Sequence, residues 1–190
     1  MKKSDSVVSL EDANKSSSEK VIVNQEIMRL SDEYPSFRDV YSTRFPNRKN
    51  PIPGIYGGWG YSQEDAAVIE YDDDADAFFT CMDCTELEKY FIQFRLEEEA
   101  IYSRGPRFPG VKWHKVNHSL VYGDDGRIFD RETVEVMVFT LEDWEALKKD
   151  WQDHNGYKDD ESGRLRHNQM RETRFIHFTE VFWFDVTKCL

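Results

Sequence analysis

The chain predicts an α+β fold in a single domain: an antiparallel sheet of four or more strands with helices mainly on one face. Three observations lead there. Residues 111–122 and 127–139 flank an Asp-Gly turn and read as a long hairpin. Residues 140–155 follow with helical spacing, and residues 175–186 are the most apolar run in the chain. The 190 residues, with 39% apolar and 33% charged side chains, suit one globular unit.

In chain order, residues 1–20 carry six serines and few large aliphatic side chains, so burial there is too small to offset the entropy of ordering. A disordered lead is expected, with the globular domain spanning 21–190. Ile22, Ile27, Met28 and Leu30 suit a short helix closed by Tyr34-Pro35, and a second helix is expected over Phe37 to Phe45. Seven Pro and Gly residues between Pro46 and Gly60 specify irregular backbone, a structured loop because it also holds Ile55, Tyr56, Trp59 and Tyr61. Ser62 and Asp65 have the spacing of a helix cap, yet Ala66-Ala67-Val68-Ile69 equally suits a strand.

Tyr90, Ile92, Phe94 and Leu96 alternate with Phe91, Gln93, Arg95 and Glu97, the period of a strand, with the helical spacing Leu87, Phe91, Phe94 competing. After the hairpin, Thr140 is the expected N-cap of a helix presenting Leu141, Trp144, Leu147 and Trp151 on one face and ending near Asn155-Gly156. Residues 156–170 read as an exposed polar loop. The run Phe175 to Val186 is expected as a final strand in the middle of the sheet.

Lys and Arg total 25 against 37 acids, a net charge of −12, which disfavours binding of nucleic acid through its phosphates. No stretch approaches the roughly 20 apolar residues of a membrane helix, and Met1-Lys2-Lys3 is not followed by an apolar signal region. Three cysteines argue against a disulfide framework and suit a reducing, cytoplasmic location.

Cys81-Met82-Asp83-Cys84 has the spacing of a zinc knuckle or redox pair, but no second pair follows and the acidic surroundings oppose a reactive thiolate. His114 and His118, four apart in a strand, share a face at a separation of about 13 Å, too far for one metal. The Gly-rich segment Gly57-Gly58-Trp59-Gly60-Tyr61 lacks the Lys and Ser/Thr of a phosphate loop. Its aromatics either pack on the core or anchor an interface. Asp72-Asp73-Asp74-Ala75-Asp76 lacks the Gly and distal Glu of a calcium loop. No Gly-x-Ser-x-Gly hydrolase or His-Glu-x-x-His metalloprotease motif occurs, and neither enzymatic activity, cofactor nor metal is expected.

Charge is distributed unevenly. Residues 62–99 hold thirteen acids and two bases, a net of −11. Such clustering is self-repulsive and suits a positive partner.

With Gly57-Gly58-Trp59-Gly60-Tyr61-Ser62-Gln63-Glu64-Asp65, the acidic run Asp72 to Asp76 and the segment Glu180-Val181-Phe182-Trp183-Phe184-Asp185, the chain resembles the immunity proteins of bacterial polymorphic-toxin and contact-dependent growth inhibition systems. The resemblance is one of type over residues 22–186. It implies a cytoplasmic, non-enzymatic inhibitor that covers the active site of a cognate toxin, a basic nuclease with an RNase favoured. Asp72, Asp73, Asp74, Asp76, Glu97, Glu98 and Glu99 are then the candidates for steering, and Trp59 and Tyr61 for anchoring. Two other readings stand beside it: a small metal-binding protein or enzyme using Cys81 and Cys84 with His, and an assembly subunit with Phe182, Trp183 and Phe184 as its oligomer surface.

Overall fold

The computed structural model describes residues 29–47, 52–71, 82–102 and 108–190. The expected lead over 1–20 and most of the short helix after Val21 lie outside these residues, and Leu30–Asp32 form a single 3₁₀ turn. Among the described residues, four helices and a five-stranded sheet form one α+β unit.

The strands are β1 (Ile55–Gly57), β2 (Ala67–Ile69), β3 (Val111–Tyr122), β4 (Ile128–Val138) and β5 (Ile176–Asp185). Their order across the sheet is β1-β2-β5-β4-β3. All neighbours are antiparallel except β2 and β5, which run parallel with Ala67 opposite Phe184. The sheet is therefore mixed, and β5 lies at its centre.

The hairpin forms as its alternation predicts. Gly126 closes the turn with φ +83°, a left-handed conformation that glycine adopts at no steric cost, and Gly123 N–H donates to Arg127 C=O at 2.8 Å. Of the two readings of residues 66–69, the strand is realised, and Ser62 Oγ accepts from Asp65 N–H in the turn before it. At Gly60, φ +75° and an approach that would set a Cβ 3.0 Å from Trp183 O both exclude a side chain. This lets Trp183 N–H reach Gly60 C=O at 2.9 Å.

The helices are α1 (Phe37–Arg44), α2 (Cys84–Glu97), α3 (Leu141–Asp153) and α4 (Glu161–Arg174). Two expectations are corrected. Residues 90–97 belong to helix α2, not to a strand: Asp83 and Glu86 form a reciprocal capping box at its start, and Leu87, Phe91, Ile92 and Phe94 are buried. Most of residues 156–170, expected as a loop, belong to α4, which Asp160 caps by accepting from Gly163 N–H. No described helix is long and apolar enough to cross a membrane.

The main core packs α1 and α2 with Val134, Val136 and Val138 of β4 and Phe178, Phe182 and Phe184 of β5. Phe91 sits at its centre, with ring centroids 5.0 Å from Phe37 and 5.8 Å from Phe184. A smaller cluster of Phe139, Leu147 and Phe175 joins the α3–α4 hairpin to the end of the sheet. Phe182 and Phe184 are fully buried, which removes them from the oligomer surface considered above.

Cys84, the first residue of α2, is disulfide-bonded to Cys189 across 105 residues of sequence. This corrects the expectation of unbridged cysteines and removes the basis on which their number pointed to a reducing compartment. It also takes Cys84 away from any metal or redox pair with Cys81, which lies outside the described residues.

Candidate functional site: a charged interior between helix α2 and the sheet

Two charged clusters sit where an α+β core is ordinarily apolar. The first is built on β4, whose even-numbered positions Asp130, Glu132, Val134, Val136 and Val138 face the main core. Asp130 and Glu132 thus enter the same layer as the valines. Glu88 of α2 joins them, and ligand oxygens of the three carboxylates lie within 4.8 Å of one another. Glu132 is 0% and Glu88 4% exposed.

Strand β3 supplies the counter-charges. Its register breaks between Lys115, opposite Val134, and Asn117, opposite Thr133, and this irregularity restarts the alternation with His118 opposite Glu132. Lys115 and His118, three apart, are thereby brought to one face, whereas His114 is directed to Glu135. The expectation that His114 and His118 share a face is corrected by this bulge. Lys115 Nζ donates to Glu132 Oε1, and His118 Nδ1 lies 3.5 Å from Asp130 Oδ2 at the solvent edge. Asp130 Oδ1 and Glu132 Oε2 are buried without a hydrogen-bond partner.

The Glu88 carboxyl is pushed up to about 8, first by burial, then by the charges of Glu132 and Asp130, with a hydrogen bond to Glu132 adding to the rise and Lys115 opposing it. These groups resemble a hard-cation site in donor type, with three carboxylates against one ammonium.

The second cluster centres on Arg95 of α2, fully buried. Its Nη1 donates to Trp59 C=O at 2.9 Å, and its Nη2 reaches Glu180 Oε2 and Val181 C=O at 3.3 Å. The guanidinium lies over the Phe182 ring at 3.5 Å and the Tyr61 ring at 4.3 Å. Tyr61 Oη donates to Glu99 and accepts from Leu30 N–H at 2.9 Å; burial and the Glu99 charge push its pKa up. Burial likewise raises Glu180, against the pull of Arg95.

The residues proposed from sequence fall into four groups. Trp59 is fully buried, its Nε1 donating to Tyr34 C=O at 3.0 Å, so for this ring the core-packing reading holds and the anchoring one is corrected, while Tyr61 is half-buried in the Arg95 cluster. Glu98 and Glu99, on the π-helical turn Glu98–Tyr102 that extends α2, are buried against Arg44 and Arg95, which corrects their assignment to a steering surface. Glu97 is half-exposed and accepts from Gln93 Nε2 at 2.6 Å. Asp72, Asp73, Asp74 and Asp76 lie outside the described residues.

Sequence reading missed the exposed aromatic face of α3. Leu147 alone of its predicted apolar stripe is buried; Leu141, Trp144 and Trp151 are exposed, the two indoles at 42% and 40%. Trp144 and Trp151 border a groove shared with Lys148, His167 and Arg171. The helical spacing was visible in the sequence, but spacing does not tell a buried stripe from an exposed one.

No protein-family model, curated protein or solved structure matches the chain.

Proposed function

We propose that this chain is a binding protein of the immunity type, one that captures a cognate basic toxin domain, an RNase by preference, and covers its active site with an acidic surface. The observation that carries the proposal is the surplus of twelve negative charges, concentrated over residues 62–99. Within that segment Glu88, Glu98 and Glu99 are internal, while Glu64, Asp83 and Glu86 are exposed and Glu97 half-exposed. A nuclease cleft is lined with Lys and Arg for phosphates, and carboxylates fit the same positions. Opposite charge also accelerates encounter, which suits capture of a toxin before it acts.

Trp144 and Trp151 support direct contact with a protein, since large rings give contact area at low entropic cost. They take the anchoring role that the buried Trp59 and half-buried Tyr61 do not fill.

The test uses the purified chain as bait on an extract of its source cells at low and high salt, followed by a nuclease assay of the captured protein. The expected result is one basic protein, held less tightly at high salt, whose activity is titrated away at equimolar chain. The variant D72K/D73K/D74K is expected to bind it more weakly and with a flatter salt dependence. A captured protein whose activity is untouched by the chain, or a triple variant that binds and inhibits as the original does, overturns the proposal.

A further inference from the structure

The carboxylates between α2 and β4 make an arrangement that the immunity reading does not use. We propose that Glu88, Asp130 and Glu132 form a binding site for one oxygen-seeking divalent cation, of the Mg²⁺, Mn²⁺ or Ca²⁺ class, with His118 at its solvent edge.

Proximity of acids alone does not make a site; what distinguishes this one is unsatisfied buried oxygen. Glu132 is fully buried, and Lys115 occupies only its Oε1. Its Oε2 has no hydrogen-bond partner, and neither does Asp130 Oδ1. Buried carboxylate oxygens without a partner are costly, so two in one cluster call for a proton on one of the carboxyls or for a cation in its place.

Geometry and charge agree. Ligand oxygens held 2.0–2.6 Å from one such ion lie roughly 3–5 Å from each other, and the trio's lie within 4.8 Å. Three carboxylates and the Lys115 ammonium sum to the charge that a divalent ion neutralises. All donors are oxygen, with the His118 imidazole next to Asp130, so the set favours a hard cation over the soft metals that thiolates take.

The charged groups that face the site come from three elements: Glu88 from α2, Lys115 and His118 from β3, Asp130 and Glu132 from β4. The bond to Cys189 at Cys84, one turn before Glu88, fixes the start of the helix that carries this ligand.

The experiment titrates Mn²⁺ into the full chain after dialysis against chelator, reading free Mn²⁺ by electron paramagnetic resonance, with Mg²⁺ and Ca²⁺ as competitors. Expected are one ion per chain and a Kd below about 1 mM. Glu88→Gln is isosteric with the protonated side chain and should fold; it is expected to weaken binding at least tenfold. Asp130→Asn is expected to weaken it equally, whereas D72N/D73N/D74N leaves it unchanged. No saturable binding, binding unaltered in Glu88→Gln, or binding lost in the Asp72–Asp74 variant overturns the site. None of these outcomes depends on a toxin partner.

Discussion

At neutral pH Glu88 keeps its proton, because burial and two neighbouring carboxylates raise it to about 8 from an ordinary value near 4.5. The unfolded chain binds fewer protons than the folded one between those two values, so stability falls as pH rises through that window. The steepest loss for one group is about 1.4 kcal/mol per pH unit. In chelator, urea denaturation should show Glu88→Gln gaining on the original chain by about that slope between pH 6 and pH 7.5. Parallel stability curves for the two proteins would refute the assignment. Arg95 illustrates the opposite arrangement at the same scale. Its charge is buried with Glu99 and Glu180, its donors are directed at two backbone carbonyls, and its face covers two rings, so removing it would leave carboxylates stranded in the core.

At the scale of elements, helix α2 presents both charged clusters and depends on its first turn to do so. Asp83 accepts from Glu86 N–H at 2.8 Å while Glu86 accepts from Asp83 N–H at 3.0 Å. Replacing Asp83 with Ala should cost about 1 kcal/mol and lower Tm by about 2–4 °C, and Asp83→Asn should retain most of the cap. Calorimetry decides it; an Ala variant as stable as the original would show the box to be idle. The hairpin was legible in sequence because β4 alternates from Asp130 onward and the Gly126 turn admits few alternatives. Helix α2 was not, because Phe91, Ile92, Phe94, Arg95 and Leu96 are all buried and a helix covered nearly all round loses its 3.6-residue stripe. Helix α4 hid for the converse reason: only Gly163 and His167 of its fourteen residues are buried. Part of the carboxylate site was readable. Asp130 and Glu132 share parity with Val134, Val136 and Val138, which marks them as core-facing acids within the hairpin itself. Glu88 lies more than forty residues away, and His118 reaches the right face only through a bulge, so neither follows from strand periodicity.

For the molecule as a whole, the Cys84–Cys189 bond closes a loop of 105 residues of separation. A crosslink of that span typically stabilises by about 2–4 kcal/mol, which in a protein of this size lowers Tm on the order of 10 °C when it is lost. Cys84→Ser is expected to show that loss in non-reducing buffer. Reductant should bring the original chain to the same Tm while leaving the variant unmoved. Two reactive thiols at Cys84 and Cys189 in the unreduced protein would contradict the bond.

The place of β5 in the sheet has a consequence for how the chain comes into being. The β1–β2 pair and the β3–β4 hairpin both precede β5 in the chain, yet within the sheet they meet only through the strand that runs from Ile176 to Asp185. Until a ribosome has released that stretch, each pair carries an open edge and the aromatic centre around Phe91 has no Phe182 or Phe184 to close on. Completion of this sheet therefore waits on Ile176–Asp185, and a nascent chain stalled before Ile176 presents two unjoined edges to the chaperones that meet it.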